Sequence, residues 1–358
     1  MTMNIHEATR GYEEWMRRCT PIVEADLRAK HAAMRGDAFA FFRGTYYRWA
    51  QQWPALCADL CRAPSILAVA DLHVGSYGTW RDAEGRLAWG VDDFDESYPL
   101  PYTNDLVRLA TSVKIVLDRQ VLGIRLREGC DAILEGYRHA LVSGGRPFIL
   151  AEHSEHHEKL GLGYIKPTNN FWDKFDRCRT IHHGVPRDAS RALRQSLPRP
   201  GMAYRIVRRV AGVGSRGQER FVAIAERDGG RIAREAKAMV PSASRWLHDG
   251  PGHRDSYYEE ALTTAVRSHD PFQRIRGRWL IRRLDPDSHP IDILNLPKER
   301  DEARLLHAMG AEAANVHLGS TRAVSRILSD LRLRDAAWLR IAAKTMAAAV
   351  EHDWRQYV

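Results

Sequence analysis

Apolar and polar positions along the chain follow a helical rhythm first, a short-strand rhythm around one acidic stretch, and a longer strand rhythm later. Over 3–35, apolar residues recur at three- and four-residue spacing around Tyr12, Trp15, Met16, Ile22, Val23 and Leu27, which predicts helix. The following stretch, AFAFFRGTYYRWAQQWPALC, is dense in rings and reads as core. Arg43 is its exception: a guanidinium before the turn at Gly44 is placed to reach a phosphate or to pair with an acid. Helical patterns return over 104–122 and 128–142, and again over 185–201, where the Pro-rich end marks a lobe boundary. Beyond Gly201 the texture changes to alternation, and it closes with a helix over 254–267 and Ala-rich helices over 298–317 and 321–352. The sum is an α+β chain: helical lobe over 1–200, strand-rich lobe over 201–297, and helices over 298–358 that return to the first lobe.

The stretch 66–96, ILAVADLHVGSYGTWRDAEGRLAWGVDDFDE, organises the rest. Its apolar runs are short enough for buried strands, so Asp71, with His73 beside it, and Asp93 emerge where strands stop. Two carboxylates brought close by a hairpin repel unless a cation or strong donor lies between them, and a divalent metal answers that need. Phosphoryl transfer uses such a pair, one acid to deprotonate the attacking hydroxyl and one to hold Mg²⁺ against phosphates. Asp71 suits the first role, with His73 as a second candidate catalytic residue. Asp93 suits the second role, and Asp95 is a further possible ligand. The same acids also suit a turn cap at Asp71 and a solvated loop at 92–96.

On both sides of Gly212-x-Gly214-x-x-Gly217, residues alternate as in a hairpin with a glycine-rich tip. A dinucleotide fold would follow such a motif with a helix, whereas here a strand pattern follows. Glycine lets the backbone approach phosphate oxygens, with Ser215 and the loop amides as donors.

Composition narrows the picture. The chain has 358 residues, 44% hydrophobic and 28% charged, and folds throughout. No run approaches a membrane span and MTMNIHEATR lacks a secretory core, so the expectation is a cytoplasmic protein with no membrane partner. Five cysteines without a Cys-x-x-Cys pair point to reduced thiols. A net charge of +9 raises nucleic-acid binding, but the basic residues are spread along the chain without a recognisable module, and the charge equally suits a nucleotide. The His-rich segment around 153–157 reads as a surface helix before a zinc site.

The run DESYPLPYTNDLVRLATS, with Phe42-Arg43-Gly44, the Asp71 loop, the Asp93 turn, Asp105 with Arg108 and Leu109, the glycine loop at 212–217, and Arg282 and Leu284, resembles a bacterial domain-of-unknown-function family, DUF 2252. That family looks like a remote relative of protein kinases and aminoglycoside phosphotransferases. The resemblance implies a protein-kinase-like two-lobed fold, ATP and Mg²⁺ as cofactors, and an unidentified small-molecule or protein hydroxyl as acceptor. It implies that Asp105 props the Asp71 loop from below. It also implies a basic strand residue on the phosphates: the expected Lys falls on Arg234, with Lys237 as the alternative on the opposite strand face, and Glu259 or Glu260 as its acid partner. The chain departs from the pattern at Ala70, where Gly is usual, and at Ser76, where an Asn metal ligand is expected. The glycine loop follows the Asp71 loop rather than preceding it, which implies a circular permutation. Ser76 and Arg234 favour an alternative, a pseudokinase that binds nucleotide without turnover.

Overall fold

Pro21 decides how the chain begins. Apolar spacing runs unbroken over 3–35, yet the structure, a computed structural model describing residues 3–119, 122–150, 170–248, 256–288 and 302–358, divides it into α1 (Ile5–Cys19) and α2 (Glu24–Gly36). Proline has no amide to continue a helix, and Thr20 is already extended. The aromatic stretch forms α3 (Ala38–Gly44) and α4 (Tyr46–Leu56), and Phe41, Phe42, Tyr46, Trp49 and Trp53 are buried as expected of a core.

The acidic stretch folds into β1 (Ser65–Ala68), β2 (Tyr77–Arg81) and β3 (Leu87–Val91), followed by β4 (Tyr98–Pro101). β1 pairs antiparallel with β4, while β2 and β3 form a hairpin with Tyr77 opposite Val91. Next comes α5 (Tyr102–Asp118), buried at every position from Tyr102 to Val113, and α6 (Leu126–Ser143). The two-residue β5 (Phe148–Ile149) extends the hairpin along β3.

The helices α7 (Phe171–Asp176) and α8 (Arg187–Ser196) lie before residue 200 in the chain. They cover the two faces of a five-stranded antiparallel sheet in the order β6 (Tyr204–Arg208), β7 (Arg220–Arg227), β8 (Gly230–Ala238), β10 (Trp279–Leu284), β9 (Arg274–Arg276). Ala189, Ala192 and Leu193 of α8 sit on Phe221, Ala236 and Trp279, whereas Phe175 of α7 packs with Val207, Val222 and Ile224 behind. An amphipathic pattern shows that a helix has an apolar stripe, not which partner meets it. Two short helices, α9 (Ala243–Leu247) and α10 (Tyr258–Thr264), lie between β8 and β9, and α9 packs on α4 of the helical half.

The closing segment is α11 (Glu302–His317), α12 (Val324–Leu333) and α13 (Trp338–Tyr357), so the single helix expected over 321–352 is split before Trp338. α11 lies tightly against α6. A Cβ on Gly136 would fall 1.9 Å from the His307 carbonyl oxygen, and one on Gly310 would fall 2.1 Å from that of Ile133. α13 packs on α5, so the last helices do rest on the first ones. Among the described residues, 13 α-helices and three antiparallel sheets make an α+β protein, and no helix is long and apolar enough to cross a membrane. Among the described residues no disulfide joins Cys19, Cys57, Cys61, Cys130 or Cys178. The His-rich segment at 153–157 lies outside the described residues.

Candidate functional site

Asp71 stands three residues past the end of β1, on a loop whose backbone is fixed from below. The Asp105 carboxylate accepts from the Val69 amide at 2.7 Å and the Ala70 amide at 2.8 Å. It also bonds His317 Nε2 at 2.9 Å, and His317 Nδ1 bonds the Tyr137 hydroxyl at 2.8 Å. The propping position expected of Asp105 is therefore the one it occupies. Ala70 itself has φ 72°, the left-handed conformation that glycine adopts without a Cβ penalty, which gives a physical reason for glycine at this place.

Beyond that turn, Asp71 accepts from Arg108 Nε at 2.5 Å. The Arg108 guanidinium is wholly buried, 4.0 Å from the Phe42 ring centre, 5.0 Å from Tyr46 and 4.9 Å from Trp49. The aromatic stretch thus houses the cation that holds the acid. Burial raises Asp71 to about 6; Arg108 opposes the rise and the nearby Asp93 adds to it. An acid held there can accept a proton close to neutrality.

The rest of this loop divides. His73 lines the cavity with its ring held neutral: burial, with Arg43 and Arg108 nearby, lowers it well below its ordinary value, and its Nδ1 accepts from the Gly75 amide at 3.0 Å. Ser76 does not reach the cavity. Its hydroxyl donates to the Asp71 carbonyl at 3.0 Å and accepts from the His73 amide at 3.0 Å, so it ties the turn and is not placed as a metal ligand.

Asp93 lies two residues past β3, where its carboxylate accepts from the Asp95 amide at 3.3 Å. Asp95 is paired with Lys237 of the sheet, and its other oxygen, Oδ1, is buried without a partner among the described residues. Glu96 accepts from the Ala243 amide at 2.6 Å and is raised by burial to about 7. Asp92 is likewise raised to about 6 by burial and by Asp93.

Across the cleft, the glycine loop joins β6 to β7. Gly212 has φ 70°, which serves the turn, and a Cβ on Gly214 would lie 3.3 Å from the Arg43 carbonyl oxygen, so Gly214 serves the fit of this loop against α3. Lys30 of α2 donates to the Gly214 carbonyl at 3.0 Å. Gly212, Gly214 and Ser215 line the cavity. Gly217 does not: its carbonyl accepts from the Val23 amide at 2.7 Å, which docks the loop on the start of α2.

Strand alternation decides between the two basic candidates on β8. Lys237 is 3% exposed, faces the cleft, and is lowered by burial to about 8, with Asp93 opposing. Arg234 points to the other face, 3.9 Å from the Phe272 ring centre, with its Nε donating to the Ser196 carbonyl at 3.2 Å. Of the two candidate residues, the structure brings Lys237 to the cleft and not Arg234. The acid facing Lys237 is Asp95, not Glu259 or Glu260; Glu259 accepts from the Ile275 amide.

Two connected chambers result. The first, ≈ 70 Å³, is bordered by Asp71, His73, Asp93, Asp95, Glu96 and the glycine loop, with Lys30 and three tyrosines completing its wall. The second, ≈ 160 Å³, is bordered by Asp92, Lys237 and the arginines of the sheet. Arg43, Asp93, Gly212 and Ser215 border both. Among the described residues no three His, Cys, Asp or Glu side chains form a group that could hold a metal ion by themselves. Mg²⁺ commonly takes one or two carboxylates and completes its shell with phosphate oxygens and water, a mode that Asp93 and the unpartnered Oδ1 of Asp95 fit.

Fold and site together define an α+β protein in which acidic loops of a helical half meet a basic, glycine-tipped sheet. Residues 7–162 match the model of a family described as an uncharacterized protein conserved in bacteria, DUF2252. That segment carries Asp71, Asp93, Asp95, Asp105 and Arg108, whereas the glycine loop and Lys237 lie outside it. No curated protein and no solved structure matches the chain, so these comparisons lend no support to a likeness to kinases.

Proposed function

We propose that the protein is an ATP- and Mg²⁺-dependent phosphotransferase with a kinase-like, circularly permuted pair of lobes, acting on a hydroxyl acceptor. One observation carries the proposal: Asp71 and Asp93 of the helical half border the same cavity as Gly212, Gly214 and Ser215 of the sheet. In this reading Asp71 takes the proton of the acceptor hydroxyl, and the Arg108 contact fixes its orientation. The loop amides and Lys237 receive the phosphates. Asp93 and Asp95 would hold Mg²⁺, whose chemistry there would be to offset the negative charge of the phosphates.

A second reading, nucleotide binding without turnover, is favoured by the two ion pairs Asp71–Arg108 and Asp95–Lys237, which engage groups that turnover needs. Thermal melting with ATP, with and without Mg²⁺, tests both, because a ligand that binds only the native state must raise its stability. We expect the midpoint to rise most with both present. No rise at saturating ATP would remove both readings. Phosphate release in the wild type and Asp71→Asn then separates them: a loss of about 10²-fold or more is expected of a general base, equal rates would remove Asp71 from catalysis, and no release by the wild type above that of ATP alone would leave only the second reading.

A further inference from the structure

The cleft-facing end of the sheet carries more positive charge than its own acids engage. Strand register places Arg220 opposite Lys237 and Arg282 opposite Glu235, while Arg209 follows β6 beside Arg220. All three guanidiniums converge on one fully buried carboxylate: Glu235 accepts from Arg209 at 2.6 Å, from Arg220 at 3.4 Å and from Arg282 at 2.6 Å. A guanidinium has five donors in a planar fork. Within the described residues Arg209 uses only Nη1 and Arg282 only Nε, so the rest of each fork is open toward the second chamber. Arg220 is 4% exposed, its Nη2 donates to Ser215, and its Nε is buried without a partner there. Arg43, on the shared border, forms no hydrogen bond or ion pair with any described residue, and its Nε is likewise buried.

The charge count points the same way. Lys237 is matched by Asp95 and Arg283 by Asp270, which leaves Arg43, Arg209, Arg220 and Arg282 facing Glu235, Asp92 and Asp93. Around this chamber four cations therefore meet three acids, and among the described residues only Glu235 of those three hydrogen-bonds to any of the four. Guanidinium forks lining a chamber match a phosphate, two of whose oxygens accept the two parallel N–H bonds of one fork.

We propose that the second chamber is a seat for linked phosphates, held by the open forks of Arg209 and Arg282 with Arg43 and the glycine loop closing over them. This deepens the reading above by naming the group recognised, but it requires neither Asp71, nor Mg²⁺, nor turnover. The test is calorimetric titration of the full chain with inorganic pyrophosphate in a metal-free, low-salt buffer. Binding is expected in the wild type, and a loss of about tenfold or more in Arg209→Gln and in Arg282→Gln. Arg209→Gln leaves Arg220 and Arg282 on Glu235, so it keeps the test open should Arg282→Gln fail to fold. Absence of wild-type binding at millimolar pyrophosphate, or unchanged affinity in the folded variants, would overturn the proposal. Displacement of pyrophosphate by ATP would assign the seat to a nucleotide's phosphates; retention would assign it to a free diphosphate. Pyrophosphate binding by a wild-type chain that releases no phosphate from ATP would keep the seat while removing the phosphotransfer reading.

Discussion

Asp71 and Glu235 are carboxylates set in opposite walls of one cleft, yet their acidities shift in opposite directions. Asp71 has one guanidinium, stacked among rings, and burial lifts it to about 6. Burial would lift Glu235 too, but Arg282, Arg209 and Arg220 outweigh it and hold that carboxylate well below its ordinary value. The number of cations in contact, rather than depth, decides which acid can exchange a proton near neutrality and which is a fixed charge. The helical wall thus offers proton chemistry, and the sheet wall offers a static field.

The sharpest way to break this contrast is Glu235→Gln. It leaves three arginines crowded in a buried site without their shared anion, so a loss of about 3–5 kcal/mol in urea denaturation is expected, the scale for breaking a buried pair. A loss below about 1 kcal/mol would mean that solvent, not Glu235, carries those charges.

A smaller effect comes from pH. Asp71 and Asp92, at about 6, and Glu96 and Glu312, at about 7, are raised chiefly by burial. Between the ordinary carboxyl range near about 4 and these values, the folded chain keeps protons that the unfolded chain releases. Stability should therefore fall as pH rises through that window and level off above about 7. Glu235, whose folded value is depressed, contributes in the opposite sense: its share is present above its unfolded value and is lost as pH falls toward the folded one. The urea midpoint is expected to be higher at about pH 5 than at about pH 7.5, and Asp71→Asn should narrow the gap.

The smallest expected effect is a gain. Ala70→Gly removes a Cβ from a left-handed residue, a relief of about 1–2 kcal/mol partly offset by about 0.5–1 kcal/mol of glycine entropy. A net stabilisation of about 0.5–1 kcal/mol in the same assay would identify the turn as strained; a loss would show that Asp105 has absorbed the strain.

Much of this architecture is legible in the chain alone, because it depends on local rules. Asp71 and Asp93 fall just past strand ends because apolar runs stop there, and Gly212 and Gly214 form a hairpin tip because alternation resumes after them. The helix break at Thr20–Pro21 follows from Pro21 itself and was available to the same reasoning. The arginine cluster was harder. Arg209, Arg220 and Arg282 are neighbours only through the register of β6, β7, β8 and β10, and a shift of one residue would send each to the other face. Period-two spacing of Glu235 and Lys237 with a cross-strand arginine was the one available hint. Ser76 and Gly217 misled for a related reason: a motif position does not reveal which backbone groups it must satisfy, and both are occupied in docking turns.

The bond between Asp95 and Lys237 spans the cleft, one residue from each wall. An anion that takes the lysine alone strands an aspartate whose other oxygen lacks a partner among the described residues, and a cation that takes the aspartate alone strands a buried ammonium. Each guest by itself works against an isolated charge, whereas two guests of opposite sign relieve both at once. Thermodynamic reciprocity then requires that each strengthen the other's hold by the same factor, so this clasp favours joint arrival over either visitor singly.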